Sequence, residues 1–421
     1  MREAEPVLDK HVSLTTTESK GPSFYYGYFM VALAFMVMVM MWGTSYSFGI
    51  FFQPLLEEFG WTRAMTSGAF SLSLLLLSLF GLVAGKLTDR FGPRIVVTGC
   101  GFFVGLGYLL MSQVSSLWQL YLFYGVIIGI GMSTAFVPLV STVARWFVKR
   151  RGLMTGVASS GLSIGTLIIP PVANWLVSVY GWRISYMIVG SVALVLIILA
   201  AQFLRRDPGQ IGQLAYGENE WTKTGDVKAL GLSLQEAIQT QQFWMLCVTM
   251  LCFTLGLGAI LVHIVPHAVG LGASSARAAI ILAVLGGAGT VGRVIMGLAC
   301  DRISNKLSLG FCFALLSVSL FLLLPAKELW LLYLCTAVFG FGYGGISAVI
   351  SPTVAELFSL SSHGAILGVI NIFSEGGSAI GSILAGYIFD ATGRYQMAFL
   401  VCGVMSTIGI ILTMLLRPIS K

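Results

Sequence analysis

Apolar stretches long enough to cross a bilayer recur along nearly the whole of this chain. A hydrocarbon core about 30 Å thick takes about 20 consecutive apolar residues per helix. Such stretches are read at 25–53, 64–85, 94–113, 117–143, 152–180, 183–203, 242–269, 276–299, 306–326, 328–350, 364–388 and 395–416. They occupy most of the 421 residues, and only 10% of the chain is charged against 57% hydrophobic. A soluble domain carries about 25% charged residues. The expectation is an all-α membrane protein of twelve transmembrane helices.

The formal net charge of +7 could suggest a nucleic-acid partner, but the placement of the charges argues otherwise. With a cytoplasmic N-terminus, 18 of the 24 Lys and Arg residues fall on the cytoplasmic side, five on the other, and one, Arg293, inside a span. That asymmetry orients membrane proteins. It predicts both termini in the cytoplasm of a multi-pass protein of the cell (inner) membrane, with the lipid bilayer and not nucleic acid as its surroundings. The polar first 20 residues give no cleavable signal peptide. Seven cysteines at or inside the spans lack metal or disulfide spacing and read as small apolar packing residues.

Internal echoes divide the spans into two sets of six. Gly85-Lys86-Leu87-Thr88-Asp89-Arg90 after span 2 returns 212 residues later as Gly297-Leu298-Ala299-Cys300-Asp301-Arg302 after span 8. Thr142-Val143-Ala144 returns as Thr353-Val354-Ala355, and Gly152-x-x-x-Gly156 as Gly364-x-x-x-Gly368. The implied organisation is a tail 1–24, a six-helix half 25–203, a polar loop 204–241, a second six-helix half 242–416 and a C-terminus 417–421. Parallel repeats of this kind place a binding site between the halves near the membrane midplane. Fifty glycines suit helices that pack closely and move against one another.

Ionisable groups inside a bilayer are costly, so those present are functional candidates. Arg293 in span 8 lies about 12 Å from the cytoplasmic helix end and Glu375 in span 11 about 16 Å, at 1.5 Å per residue. A permanent guanidinium at that depth fits a visiting carboxylate, which it can hold bidentately. The alternative is an ion pair between Arg293 and Glu375, and a carboxylate that releases the arginine on protonation would serve both readings. One cation favours a monocarboxylate, because a dicarboxylate would keep a second charge unpaired. Tyr46, Tyr124, Tyr343 and Asn371 are further substrate-binding candidates; Glu375, His263 and His267 are proton-coupling candidates. No metal or nucleophile–base constellation is found within the spans, so neither an enzyme nor a cofactor is expected.

The motif Gly85-Lys86-Leu87-Thr88-Asp89-Arg90-Phe91-Gly92-Pro93-Arg94 resembles the loop 2–3 signature of the major facilitator superfamily. The resemblance implies that Asp89, Arg90, Asp301, Arg302, Lys149 and Arg150 act in conformational gating. Arg145-Trp146-Phe147-Val148-Lys149-Arg150-Arg151-Gly152, Tyr25-Tyr26-Gly27-Tyr28 and His263-Ile264-Val265-Pro266-His267 are similar to monocarboxylate transporters and the oxalate/formate antiporter group. This implies proton-coupled symport of a small monocarboxylate such as L-lactate, with Arg293 matching the family arginine that binds the carboxylate. Two departures stand out. Animal relatives carry an acidic residue four positions before that arginine and a lysine in span 1, where this chain has Gly289 and Tyr46. Oxalate antiporters carry a second cation in span 11, which is missing here. Anion exchange and ligand sensing on a transporter fold stay as alternatives.

Overall fold

In the computed structural model, residues 25–148, 150–217, 232–300, 302–358 and 363–416 are described. Eleven helices among them are long and apolar enough to cross a membrane. One of these, Leu153–Phe203, is broken at Gly181 (φ 75°, ψ 164°), a backbone conformation that only glycine adopts freely. Splitting it there yields spans 5 and 6, so the spans number twelve.

Spans 2, 3 and 7–12 are Arg63–Phe91, Pro93–Met111, Gln241–Gly270, Ser275–Cys300, Asn305–Leu322, Leu329–Phe358, His363–Thr392 and Gln396–Leu415. Span 1, expected as one piece over 25–53, is instead Tyr26–Tyr46 followed by Phe48–Phe59. The interruption falls at Ser47, whose hydroxyl bonds back to the Gly43 carbonyl and competes with the helical ladder. Span 4, Leu117–Trp146, contains a π-helical stretch at Tyr121–Ile128 and a break at Phe136. Wider turns of this kind re-aim the side chains that follow them.

Within the first half, span 1 packs on span 5; within the second, the equivalent span 7 packs on span 11. The halves meet along span 2 with span 11 and span 5 with span 8. Exchanging the halves interchanges these two contacts, as a two-fold axis along the bundle requires. Small residues make the approach possible: a Cβ on Gly286 of span 8 would lie 2.6 Å from the Leu167 backbone nitrogen of span 5. Both described chain ends lie on one face of the bundle, since twelve crossings return the chain to the side it left.

On that terminal face the loop after span 6 is tied to the first half. Tyr216 donates its amide to the Trp146 carbonyl (3.0 Å) and accepts from the Val148 amide (3.0 Å). Tyr25, Tyr28, Phe147 and Tyr216 form an aromatic cluster of edge-to-face and tilted rings around this pairing. The other end of the inter-half loop belongs to the second half, where the Leu232 amide bonds the Phe358 carbonyl (3.3 Å).

Candidate functional site

Arg293 sits on the face of span 8 that meets span 5, four residues beyond Gly289 and seven beyond Gly286. One Nη donates to the Ser159 carbonyl at 2.9 Å. That carbonyl is free to accept because the helix Arg151–Ser159 ends there and the next begins at Gly161. The second Nη reaches the Tyr343 hydroxyl at 3.5 Å, with the guanidinium carbon 5.7 Å from the Tyr343 ring centroid. Arg293 thus touches both halves, through span 5 of the first and span 10 of the second. No carboxylate among the described residues pairs with it.

Tyr343 and Tyr46 are both buried, at 4% and 5% exposure, and they lie near enough across the halves to influence each other electrostatically. Each also feels the charge of Arg293 and of Glu375. Phe253 stacks along Tyr343 at a 6.1 Å centroid distance and holds the ring. Glu375 lies half-buried on span 11, with Asn371 one turn away. The ion pair between Arg293 and Glu375 that depth alone allowed is absent. The reason is packing: span 8 lies on spans 5 and 10, whereas span 11 lies on spans 2 and 7.

Arg293, Tyr343, Tyr46 and Glu375 therefore form one electrostatic group. Tyr124 belongs elsewhere: its hydroxyl donates to the Ser45 carbonyl (3.1 Å), and its ring is enclosed by Phe48, Phe70 and Tyr108 inside the first half. Asn371 makes no hydrogen bond to a described residue of the group. His263 and His267 stand near the face opposite the chain ends, around Tyr395. Among the gating candidates, Arg90 and Arg302 are exposed, and Arg150, in the left-handed region at φ 65°, precedes the helix Arg151–Ser159. None of these three makes an ion pair with a described residue. Lys149 and Asp301 lie outside the described residues, as does the Asp89 side chain.

Two features were missed by sequence reasoning. The Ser159 carbonyl became a ligand for Arg293 only through a helix break, and the signal available was the Ser159-Ser160-Gly161 run. The second is a polar seam at the far face joining Arg63, Asp390, Tyr395 and His263. Its signal was a charge at each of two span ends, Arg63 and Asp390, which nothing in the sequence places side by side.

A twelve-helix bundle whose halves meet around a cation unpaired with any described carboxylate is the architecture of a membrane transporter. The chain belongs to the Major Facilitator Superfamily, whose family model matches residues 31–306 and 246–421. It is similar to Monocarboxylate transporter 13 of Rattus norvegicus, 28% identical over 94% of this chain and 90% of that one. Monocarboxylate transporter 2 of Homo sapiens is 27% identical, over 91% and 83% of the two chains. The Uncharacterized MFS-type transporter YhjX of Escherichia coli is 26% identical over 81% and 82%. A bacterial homolog of the human lysosomal transporter Spinster shares the fold, with a TM-score of 0.71 at 15% identity over 94% of this chain and 96% of that one.

Proposed function

We propose that this protein carries a small monocarboxylate such as L-lactate together with a proton across the cell membrane, by rocking of its two halves, with both termini cytoplasmic. The observation that carries the reading is Arg293. Its fork bridges the halves, held by a neutral carbonyl and a phenol and by no described carboxylate. An arginine so placed retains a donor edge for an anion. The relatives named as monocarboxylate transporters support the same substrate class.

Tyr46 and Tyr343 supply the hydroxyls that border a carboxylate on Arg293. Glu375, acting on both, is the proton site: it is the only acidic residue of the group, and protonation would cancel a negative charge facing the incoming anion. Protonation of Glu375 and binding of the anion then favour each other, and the loaded site is electrically unchanged by the pair.

The experiment is uptake of radiolabelled L-lactate into proteoliposomes, with acetate, pyruvate and oxalate as competitors, with and without an inward proton gradient. Gradient-driven accumulation competed by monocarboxylates is expected. Uptake indifferent to the gradient but dependent on an internal anion would make the protein an exchanger and remove proton symport. Binding without uptake would make it a sensor.

A further inference from the structure

The seam at the face opposite the chain ends contains a hydrogen-bond relay whose protonation states follow from its partners. The His263 Nε2 lies 2.8 Å from the Ser382 carbonyl oxygen, which can only accept, so Nε2 carries the hydrogen. In the neutral ring Nδ1 is then an acceptor, and the Tyr395 hydroxyl at 3.2 Å donates to it. The Tyr395 oxygen in turn accepts from the Arg63 guanidinium at 2.8 Å. Arg63 opens span 2 in the first half, whereas Tyr395, His263 and Ser382 belong to the second.

Two further contacts tie the halves at the same place. The Asp390 carboxylate, at the end of span 11, accepts from the backbone amides of Arg63 at 3.0 Å and Ala64 at 2.8 Å. It therefore caps a helix of the other half, where an anion is favoured. Below it, the Ser71 and Ser382 hydroxyls meet at 2.6 Å.

From this we infer that the cluster is a latch closing the far face, and that a proton on His263 opens it. A proton on Nδ1 removes the acceptor that the Tyr395 hydroxyl uses. The hydroxyl must turn away, and an imidazolium then stands behind Tyr395 close to the Arg63 guanidinium, in a seam where His263 is fully buried. Asp390 is the one carboxylate near both, and its oxygens already serve the helix amides. The first half presents the Phe52 ring edge and the Arg63 charge to His263, and on its own helix the titratable neighbour one turn on is His267, whose ring lies against Tyr395 and Phe399. No other described charge is placed to compensate. Separating the halves hydrates both cations, so the proton binds the open seam in preference to the closed one, and acid shifts the population toward opening.

The inference rests on the transporter reading and its orientation for its meaning, since the proton would then be an external one. Its test needs neither substrate nor sidedness. Gln113 and Lys327 are exposed, one on each half, at the same face as the latch but outside it. Cysteines at these two positions, in a protein whose native cysteines are replaced by alanine, carry nitroxides for distance measurement by double electron–electron resonance. Closed and open seams then give short and long distances.

Between about pH 8 and about pH 5 the ratio of long to short distances should rise about tenfold, the span over which an imidazole changes charge. Asp390→Asn and Tyr395→Phe, near-isosteric changes in the latch, should raise the long population at both pH values. His263→Gln, which can still accept from Tyr395 and donate to Ser382, should hold the short distance at both. Unchanged distances in Asp390→Asn and Tyr395→Phe would overturn the latch. A pH response that survives in His263→Gln would overturn the assignment of the sensor. Failure of L-lactate uptake would touch neither result, so the two readings fail separately.

Discussion

Replacing Arg293 by alanine removes the cation that bridges spans 5 and 10 at the seam between the halves, and the structure sets what that should cost. A carboxylate held by the guanidinium edge would make two charge-assisted hydrogen bonds, each contributing about 1.5–3 kcal/mol. Losing both amounts to about 3–6 kcal/mol, or a weakening of about two to four decades in affinity. The fold should lose less: the Ser159 carbonyl and the Tyr343 hydroxyl each forfeit one donor, about 1 kcal/mol apiece. Arg293→Lys separates charge from shape. A lysine ammonium is a point charge that cannot span the Ser159 carbonyl, the Tyr343 hydroxyl and a bidentate anion at once, so an intermediate loss of about tenfold is expected. The assay is initial uptake rate against substrate concentration in proteoliposomes, with thermal unfolding of each purified variant measured alongside. Uptake by a well-folded Arg293→Ala protein at the unmodified rate and apparent affinity would refute the assignment of Arg293 as the anion site.

Glu375→Gln should abolish the response of uptake to an inward proton gradient while leaving substrate exchange at equal pH, because the amide keeps the shape and cannot titrate; a retained gradient response would move the proton site elsewhere. Gly286→Ala should slow transport and destabilise the protein by about 1–3 kcal/mol through overpacking, since the added methyl meets backbone atoms of Ser163, Thr166 and Leu167 that cannot rotate away; unchanged unfolding and uptake would show that spans 5 and 8 are less closely apposed. Gly289→Asp places an acidic residue one turn from Arg293: a Cβ there meets only ordinary contacts at 3.4–3.5 Å, beside Tyr343 and Ser163. The new carboxylate should compete with substrate for the guanidinium, raising the apparent KM at neutral pH and relieving the effect in acid; a KM equally unchanged at both pH values would place position 289 out of reach of Arg293.

The twelve crossings and the two-half repeat were legible in the sequence because each depends on a property counted along the chain. Span length, charge asymmetry and the 212-residue echo need no knowledge of which helix touches which. Even so, local backbone chemistry escaped: the Ser47 break in span 1 and the end of the helix at Ser159 depend on a few hydrogen bonds that an unbroken apolar run conceals.

Partnership across the seam was decided by tertiary structure alone. Arg293 and Glu375, expected at similar depth from the sequence, do not pair, since one helix packs on spans 5 and 10 and the other on spans 2 and 7. Tyr46, Tyr124 and Tyr343 looked alike as intramembrane tyrosines, and only the packing brought the first and last to Arg293 and turned Tyr124 into the first half. Arg63 and Asp390, 327 residues apart, meet because the helices that carry them cross at one end of the seam. The physical reason is common to all three cases. In a bilayer almost every helix is apolar over most of its surface, so hydropathy sets where a helix lies in depth. Which neighbours it takes is set by small-residue contacts and a few polar bonds, and those are properties of pairs of helices.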